Sequence, residues 1–543
     1  MIFKSPHPAV PVPDVSFSTF LFGDIESRAG RPAIIEGPTG RILTYQDLRD
    51  DASAAALGLV SRGLEPGDLV AILSPNVPEY AVAFHAVASA GGCSTTLNPL
   101  QLPAELVHQV SDSRARWLVT APELARKATE VASATGIEEV FVLGEADGAT
   151  PFADLMDAGR RDRALAAAHG GCDPFDALER RVADPATHLV TLPYSSGTTG
   201  LPKGVMLTHR NLVANVSQYL VADPVAEGEV VLAVLPFFHI YGMVVVMSAC
   251  LAAGATIVTM PRFDLESFLV TIAEYRIDRA YVVPPIILAL AKHPLVDEHD
   301  ISCLTRVFSG AAPLGAEVAG ECERRLGCVV SQGYGLTEAS PVTHLLPVSD
   351  RGPGRIGTVG PSLPDTEVCI VHLETGERLS PGQEGEVWIR GPQVMAGYLN
   401  RPAATAETVD ADGWLHTGDV GRVDADGFLT IVDRAKELIK YKGYQVAPAE
   451  LEAVLLGHAA IHDVAVIPSP DPEAGEVPKA FVVSSGHLTE EEVVAFVAER
   501  VAPYKRVRLV EFIDQIPKSP SGKILRRLLV DRERERLASE LPV

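Results

Sequence analysis

Hydrophobic positions in the long first part of the chain switch repeatedly between a helical period and short unbroken apolar runs. Thr44 with Asp47 three residues on forms a helix-opening box, because each side chain can satisfy an end amide beside the other. The Ala-rich helix that follows is predicted to stop near Gly63. Short apolar strands are predicted over 69–73, 117–120 and 140–143, with a helix over 82–91. Strands alternating with helices imply mostly parallel sheets covered by helices, an α/β fold. Residues 240–261 carry no charge over 22 positions, enough to cross a bilayer. That run divides into a helical piece over 243–253, a stop at Gly254 and a β-branched strand over 255–260. A buried helix and strand are therefore expected, and no membrane span.

The pattern changes after about residue 433. Residues 436–442 are basic, and strands over 464–467 and 480–484 flank an acidic turn at 471–476. Thr489 and Glu492 form a second helix-opening box before a helix over 493–501. The expected organisation is a large domain, 1–435, followed by a small α+β domain, 436–543.

With 543 residues, 47% of them hydrophobic, the chain is globular and too long for one core. Lys+Arg 46 against Asp+Glu 70 gives a net charge of −24, which disfavours nucleic acid and anionic membranes as partners. The acidity is uneven. Residues 436–543 hold 15 basic and 17 acidic side chains, leaving 31 and 53 for the rest. Any anionic substrate must be held by a local site working against the overall field. The seven cysteines, 93, 172, 250, 303, 322, 328 and 369, show no zinc or disulfide spacing, so free buried thiols are expected. The N-terminus lacks a signal-peptide core and the C-terminus is not S-K-L, so a cytoplasmic location is expected.

The densest chemistry lies at Tyr194-Ser195-Ser196-Gly197-Thr198-Thr199-Gly200-Leu201-Pro202-Lys203-Gly204, directly after a strand-like 189–192. Glycines let backbone amides close on an anion, while four hydroxyls and Lys203 add donors and charge. This equips a loop for the β- and γ-phosphates of a nucleotide, and it does not fit the Walker A spacing.

SSGTTGLPKG resembles the phosphate loop of the adenylate-forming superfamily: acyl-CoA ligases, luciferases and peptide-synthetase adenylation domains. Further blocks follow in that family's order: QGYGLTE at 332–338, GEVWIRG at 385–391, WLHTGD at 414–419, VDRAKELIK at 432–440 and PSGK at 520–523. The nearest likeness is to 4-coumarate:CoA ligases and bacterial cinnamate-activating relatives. Plant members usually carry Cys where this chain has Trp388.

The resemblance implies a large domain with a β-barrel-like subdomain and a mobile C-terminal lid. It implies that a carboxylic acid, ATP with Mg²⁺, and CoA react through an acyl-adenylate. Neither step needs a protein nucleophile; positioning and charge cancellation suffice. It makes Lys523 the adenylation lysine, Thr337 a donor to the α-phosphate and Glu338 the metal ligand. Tyr334, with Gln332, Gly333, Gly335, Gly310, Ala311 and Ala312, would hold adenine. Asp419 and Arg434 would take the ribose. Lys436 would be the hinge; Lys440 and Gln445 would serve adenylation, and Lys442 and Gly443 the pantetheine tunnel. His239, Tyr241, Pro284, Ser309, Ala311, Gly333, Pro341 and Val342 would line an apolar acyl slot.

The leading expectation is a CoA ligase for an aromatic acid, with benzoate or medium-chain fatty acids as alternatives. A carrier-loading enzyme fits less well, because no Asp stands in the His239–Gly242 block to hold an amino group, and few residues follow Lys523. A luciferase-like oxygenase and a non-catalytic binding module remain open by fold. A monomer or homodimer is expected.

Overall fold

A computed structural model describes residues 1–169, 173–195, 202–351, 355–442, 444–484, 486, 488–519 and 522–540. The predicted βα alternation takes form as two large sheets. In the first, the strands Val329–Gly335, Arg306–Ser309, Arg279–Val282, Val230–Ala233, Thr256–Thr259 and Pro32–Glu36 run parallel, with antiparallel edges Val342–Leu345 and Ile42–Thr44. The second centres on Cys93–Leu97, Leu69–Leu73, Trp117–Thr120 and Glu139–Val142, again parallel. Its far side carries Leu189–Thr191, Lys203–Thr208 and Tyr194–Ser195. Helices cover both, and one continuous hydrophobic core runs between them. A third sheet, antiparallel, joins Phe3–Lys4, Glu367–Val371, Gly385–Arg390, Leu415–Val423 and Leu429–Arg434. The remaining sheet belongs to the C-terminal part, from Ile439–Tyr441 to Leu509–Phe512, with its own core around Val464, Val466, Ala480 and Val482.

Both helix-opening boxes form: Thr44 with Asp47 begins Tyr45–Ser61, and Thr489 with Glu492 begins Glu490–Ala498. The uncharged run differs from expectation in its winding. Tyr241–Ala249 is a π-helix, relaxing to an α-turn at Cys250–Ala253 before Gly254 and the strand Thr256–Thr259. The wider turn is supported by side chains. The Ser248 hydroxyl donates to Met243 O at 2.7 Å and the Cys250 thiol to Val245 O at 3.5 Å, each five residues back. The whole π-helix is buried. Among the described residues no helix is long and apolar enough to cross a membrane. The two C-terminal strands run longer than predicted, Ile461–Asp471 and Gly475–Ser484, because the acidic turn between them tightens into a hairpin that extends the ladder.

Burial holds four imidazoles, His85, His209, His239 and His344, at a pKa of about 3, against an ordinary value near 6.5. The unfolded chain therefore binds protons that the fold refuses, and stability is lost as pH falls from 6.5 towards 3. Each histidine contributes a slope of up to about 1.4 kcal/mol per pH unit. Urea unfolding should show a falling midpoint below pH 6.5. His85→Leu, in a pocket formed by Phe17, Phe22 and Phe84, should flatten that slope by one histidine's share.

Candidate active site

Parallel strands place their carboxyl ends, and the loops that follow, on one side of a sheet. In the first sheet those ends deliver Pro236–His239, Val283–Pro284, Ser309–Ala312 and Gln332–Gly335 to a common cleft. This arrangement unites most residues singled out from the sequence. Ser196, Gly197, Thr198, Thr199, Gly200 and Gly443 lie outside the described residues. The strand leading into the phosphate loop is described, and Ser195 within it points a hydroxyl at Glu338 Oε1, 2.8 Å away.

Glu338 is buried and sits in a single turn, Thr337–Ala339. A second donor to its Oε1 is the Tyr398 hydroxyl, also at 2.8 Å. Tyr398 was not legible as a functional residue, because its strand Gly397–Tyr398 is brought to Glu338 by pairing with Lys203–Thr208 and by Met395 N–H donating to Glu338 O at 2.9 Å. Lys203 stands 4.8 Å over the Tyr398 ring. Both hydroxyls converge on one carboxylate oxygen, and among the described residues no donor reaches Oε2.

Asp419, on Leu415–Val423, accepts from the Tyr334 hydroxyl at 2.5 Å and pairs with Arg434 Nε at 3.3 Å. Burial raises its pKa, while Arg434 and the Tyr334 hydrogen bond oppose the rise. The backbone before it is fixed by Glu386, which accepts Gly418 N–H at 3.0 Å and Trp388 Nε1–H at 2.9 Å. Trp388 in turn stacks on His416 at 3.7 Å. Trp388 is thus a support for the Asp419 turn, which accounts for a large aromatic at this position.

Lys523 belongs to a tight turn. Ser519 N–H donates to Lys523 O at 2.8 Å, and Lys523 N–H to the Ser519 hydroxyl at 3.1 Å. Gly522 takes a left-handed φ of 75°, and a Cβ there would lie 3.0 Å from Val283 Cγ2. The turn can press against Val283 only because this residue is glycine. Lys523 keeps access to solvent, yet enough protein surrounds its ammonium to lower the pKa. Desolvation is the main cause and Arg434 adds to it, against the pull of Asp419, Glu338 and Glu437. His239 is kept neutral chiefly by burial, with Lys523 adding repulsion. Its Nδ1 accepts Tyr241 N–H at 3.4 Å, which leaves the proton on Nε2.

A cluster of buried aromatics lies beside Ser309–Ala312. Phe308 forms edge contacts with Tyr219 and Tyr241, each with ring centres 6.3 Å away, and packs against Tyr281 at 5.8 Å. A Cβ on Gly310 would lie 2.8 Å from the Tyr241 ring. Burial drives the Tyr241 hydroxyl far above the ordinary phenol range, so it stays neutral. Its bond to Phe308 O is long, 3.4 Å. The buried Ser309 hydroxyl has no partner among the described residues. Within this cluster, Tyr219 and Tyr281 share a 2.8 Å hydrogen bond and lead to Asp223 and Arg279, paired at 2.5 Å. Phe308, Tyr219 and Tyr281 were missed because apolar strands and helices carry them among ordinary core residues.

Lys440 and Gln445 are cross-strand neighbours in an exposed hairpin that also presents Lys442, while Lys436 lies on the exposed junction before it.

These side chains gather at the carboxyl ends of the first sheet, with Lys523 contributed by the C-terminal part. The chain belongs to the AMP-binding enzyme family, whose match spans residues 22–399; the family's C-terminal domain matches residues 450–523. It is 43% identical over 552 residues to 4-coumarate–CoA ligase 2 of Nicotiana tabacum, covering 100% of this chain and 98% of that protein. ATP-bound MatB from Rhodopseudomonas palustris superimposes with a TM-score of 0.85 at 28% identity, over 96% of this chain and 100% of that one. A benzoate CoA ligase from Burkholderia xenovorans LB400 gives 0.82 at 26% identity, over 95% and 99%.

Arg279 is buried with both Asp223 and Glu229 against it. Asp223→Ala leaves part of that charge unpaired and should cost about 3–5 kcal/mol. Urea unfolding of the variant measures the loss.

Proposed function

We propose that this protein is an ATP-dependent acid–CoA ligase that forms an acyl-adenylate from a 4-coumarate- or cinnamate-type acid. The observation that carries the reading is the Lys523 turn seated against Val283, which brings an ammonium to the junction of the Asp419–Arg434 pair and the aromatic cluster. The full-length likeness to 4-coumarate–CoA ligases supports the same acid class. A planar phenylpropenoid suits a site bordered by aromatic rings such as Tyr241 and Phe308, and the unpartnered Ser309 hydroxyl suits an acid that carries a hydroxyl of its own.

In the first step a carboxylate oxygen attacks the α-phosphorus of ATP and the bond to the β-phosphate breaks, releasing pyrophosphate. Lys523 lies between two anions there, and its cationic form cancels their repulsion. Thr337 donates to the α-phosphate, Tyr334 stacks on adenine and Asp419 accepts the ribose hydroxyls. Mg²⁺ would be held by Glu338, whose one free oxygen is a hard donor suited to an ion that keeps most of its ligands as water and phosphate. It would supply charge neutralisation at the phosphates. In the second step the CoA thiol attacks the acyl carbonyl, the thiol proton passes to solvent and AMP leaves.

We place the change of domain at 435/436, with Lys436 as hinge, 436–543 as the lid, and Lys440, Lys442 and Gln445 as lid residues turned to the ligands. A cytoplasmic monomer or homodimer fits the composition.

Lys523→Ala should abolish acyl-AMP formation, read by pyrophosphate release, and leave CoA transfer to preformed acyl-AMP largely intact. Similar loss in both steps would remove Lys523 from the first. Turnover should be highest with cinnamates in a screen against benzoates and medium-chain fatty acids with CoA; a preference for either of the latter reassigns the acid. Tyr398→Phe removes a donor that fixes Glu338 and should lower acyl-AMP formation about 10–100-fold, with a higher Mg²⁺ requirement.

A further inference from the structure

Arg526 opens the final helix, Arg526–Glu540, with Arg527 behind it. A cation in a first turn faces the positive end of the helix dipole, so helix stability does not account for it. The two arginines part company in the fold. Arg527 is 84% exposed at its side chain, whereas that of Arg526 is 15% exposed and turned inward. Its Nη2 donates to both oxygens of Glu452 at 2.7 Å, its Nη1 to Glu437 at 2.8 Å and its Nε to Val466 O at 3.3 Å. Forked pairing of this kind fixes orientation as well as distance.

Each partner leads to a different segment. Glu437 N–H donates to Arg434 O at 2.9 Å, so it belongs to the bend that carries Arg434. Glu452 lies on the helix Pro448–Leu456, and Asp433 accepts that helix's Ala449 N–H at 2.8 Å. Arg526 itself ends the Lys523 turn, which is closed one residue earlier by Leu525 N–H donating to Pro517 O at 2.9 Å. The other exit of the turn is held by Lys518 and Asp463, 2.6 Å apart but more exposed. Burial pushes Glu452 up to about 7, with Arg526 the main charge opposing the rise.

We infer that Arg526 is a positioning residue for Lys523, its guanidinium bolting the base of the Lys523 turn to the bend that holds Arg434. This rests on the role proposed above for Lys523. Arg526 touches no reacting atom; it sets where the lysine stands relative to Arg434 and Asp419.

The test uses the full chain with Arg526→Gln and Arg526→Lys, and Arg527→Gln as control. Displacement by about an ångström is expected to lower acyl-AMP formation by about 30–100-fold in Arg526→Gln, with CoA transfer to supplied acyl-AMP changed by less than about threefold. Arg526→Lys should fall between, and Arg527→Gln should match the parent. Independently of turnover, the pH profile of Lys523 acetylation by acetic anhydride, read by mass spectrometry, should move up towards that of an ordinary lysine in Arg526→Gln. Equal loss in both half-reactions, no loss in either, or an unmoved labelling profile overturns the assignment. If Arg526→Gln does not fold, Arg526→Lys and Glu452→Gln are read by the same criteria. A parent enzyme that forms no acyl-AMP overturns the proposed function instead, and the labelling profile still judges the positioning.

Discussion

An ammonium partly surrounded by protein keeps its charge only where the groups around it offset its lost hydration. Lys523 meets that condition by opposition: Arg434 repels it while Asp419, Glu338 and Glu437 draw it in. Asp419 is itself restrained by Arg434 and by the Tyr334 hydroxyl. Desolvation, joined by Arg434, outweighs that pull and lowers the pKa, so the site favours the arrival of more negative charge. The sheet ends, the Gly522 turn and the Arg526 cluster all bear on the place where that one lysine is held.

This local balance explains how a strongly acidic chain can handle polyanions. Most of the excess charge lies before residue 436. Exposed charges farther away than about 8–10 Å are largely screened at physiological salt, whereas Lys203, Arg434 and Lys523 act inside the cleft. Distance and screening separate the overall field from the field that a bound nucleotide would meet.

Much of the fold could be read from periodicity. Leu69–Leu73 and Trp117–Thr120 fall where unbroken apolar runs place them, and both box-capped helices begin at the expected threonines. The π-winding of Tyr241–Ala249 could not be read, since a segment without polar positions has no face by which to tell one helical period from another. The site divides similarly. Tyr334, Glu338, Asp419, Arg434 and Lys523 sit in compact motifs and converge on one cleft. Tyr398, Phe308 and Arg526 act through partners distant in sequence, and nothing in their immediate neighbours distinguishes them from core or surface residues. Arg526 was hidden most completely, beside an Arg527 that faces solvent.

The strand Arg306–Ser309 has a consequence for how such an enzyme could change over evolutionary time. Successive residues of a strand face opposite ways, and here Phe308 packs among Tyr219, Tyr241 and Tyr281 while Ser309, the next residue, faces the other way. Replacing the one side chain need not move the backbone that serves the other. Selection could therefore retune the acid accepted by exchanging bulk at alternate positions, leaving the adenylation apparatus to be inherited intact.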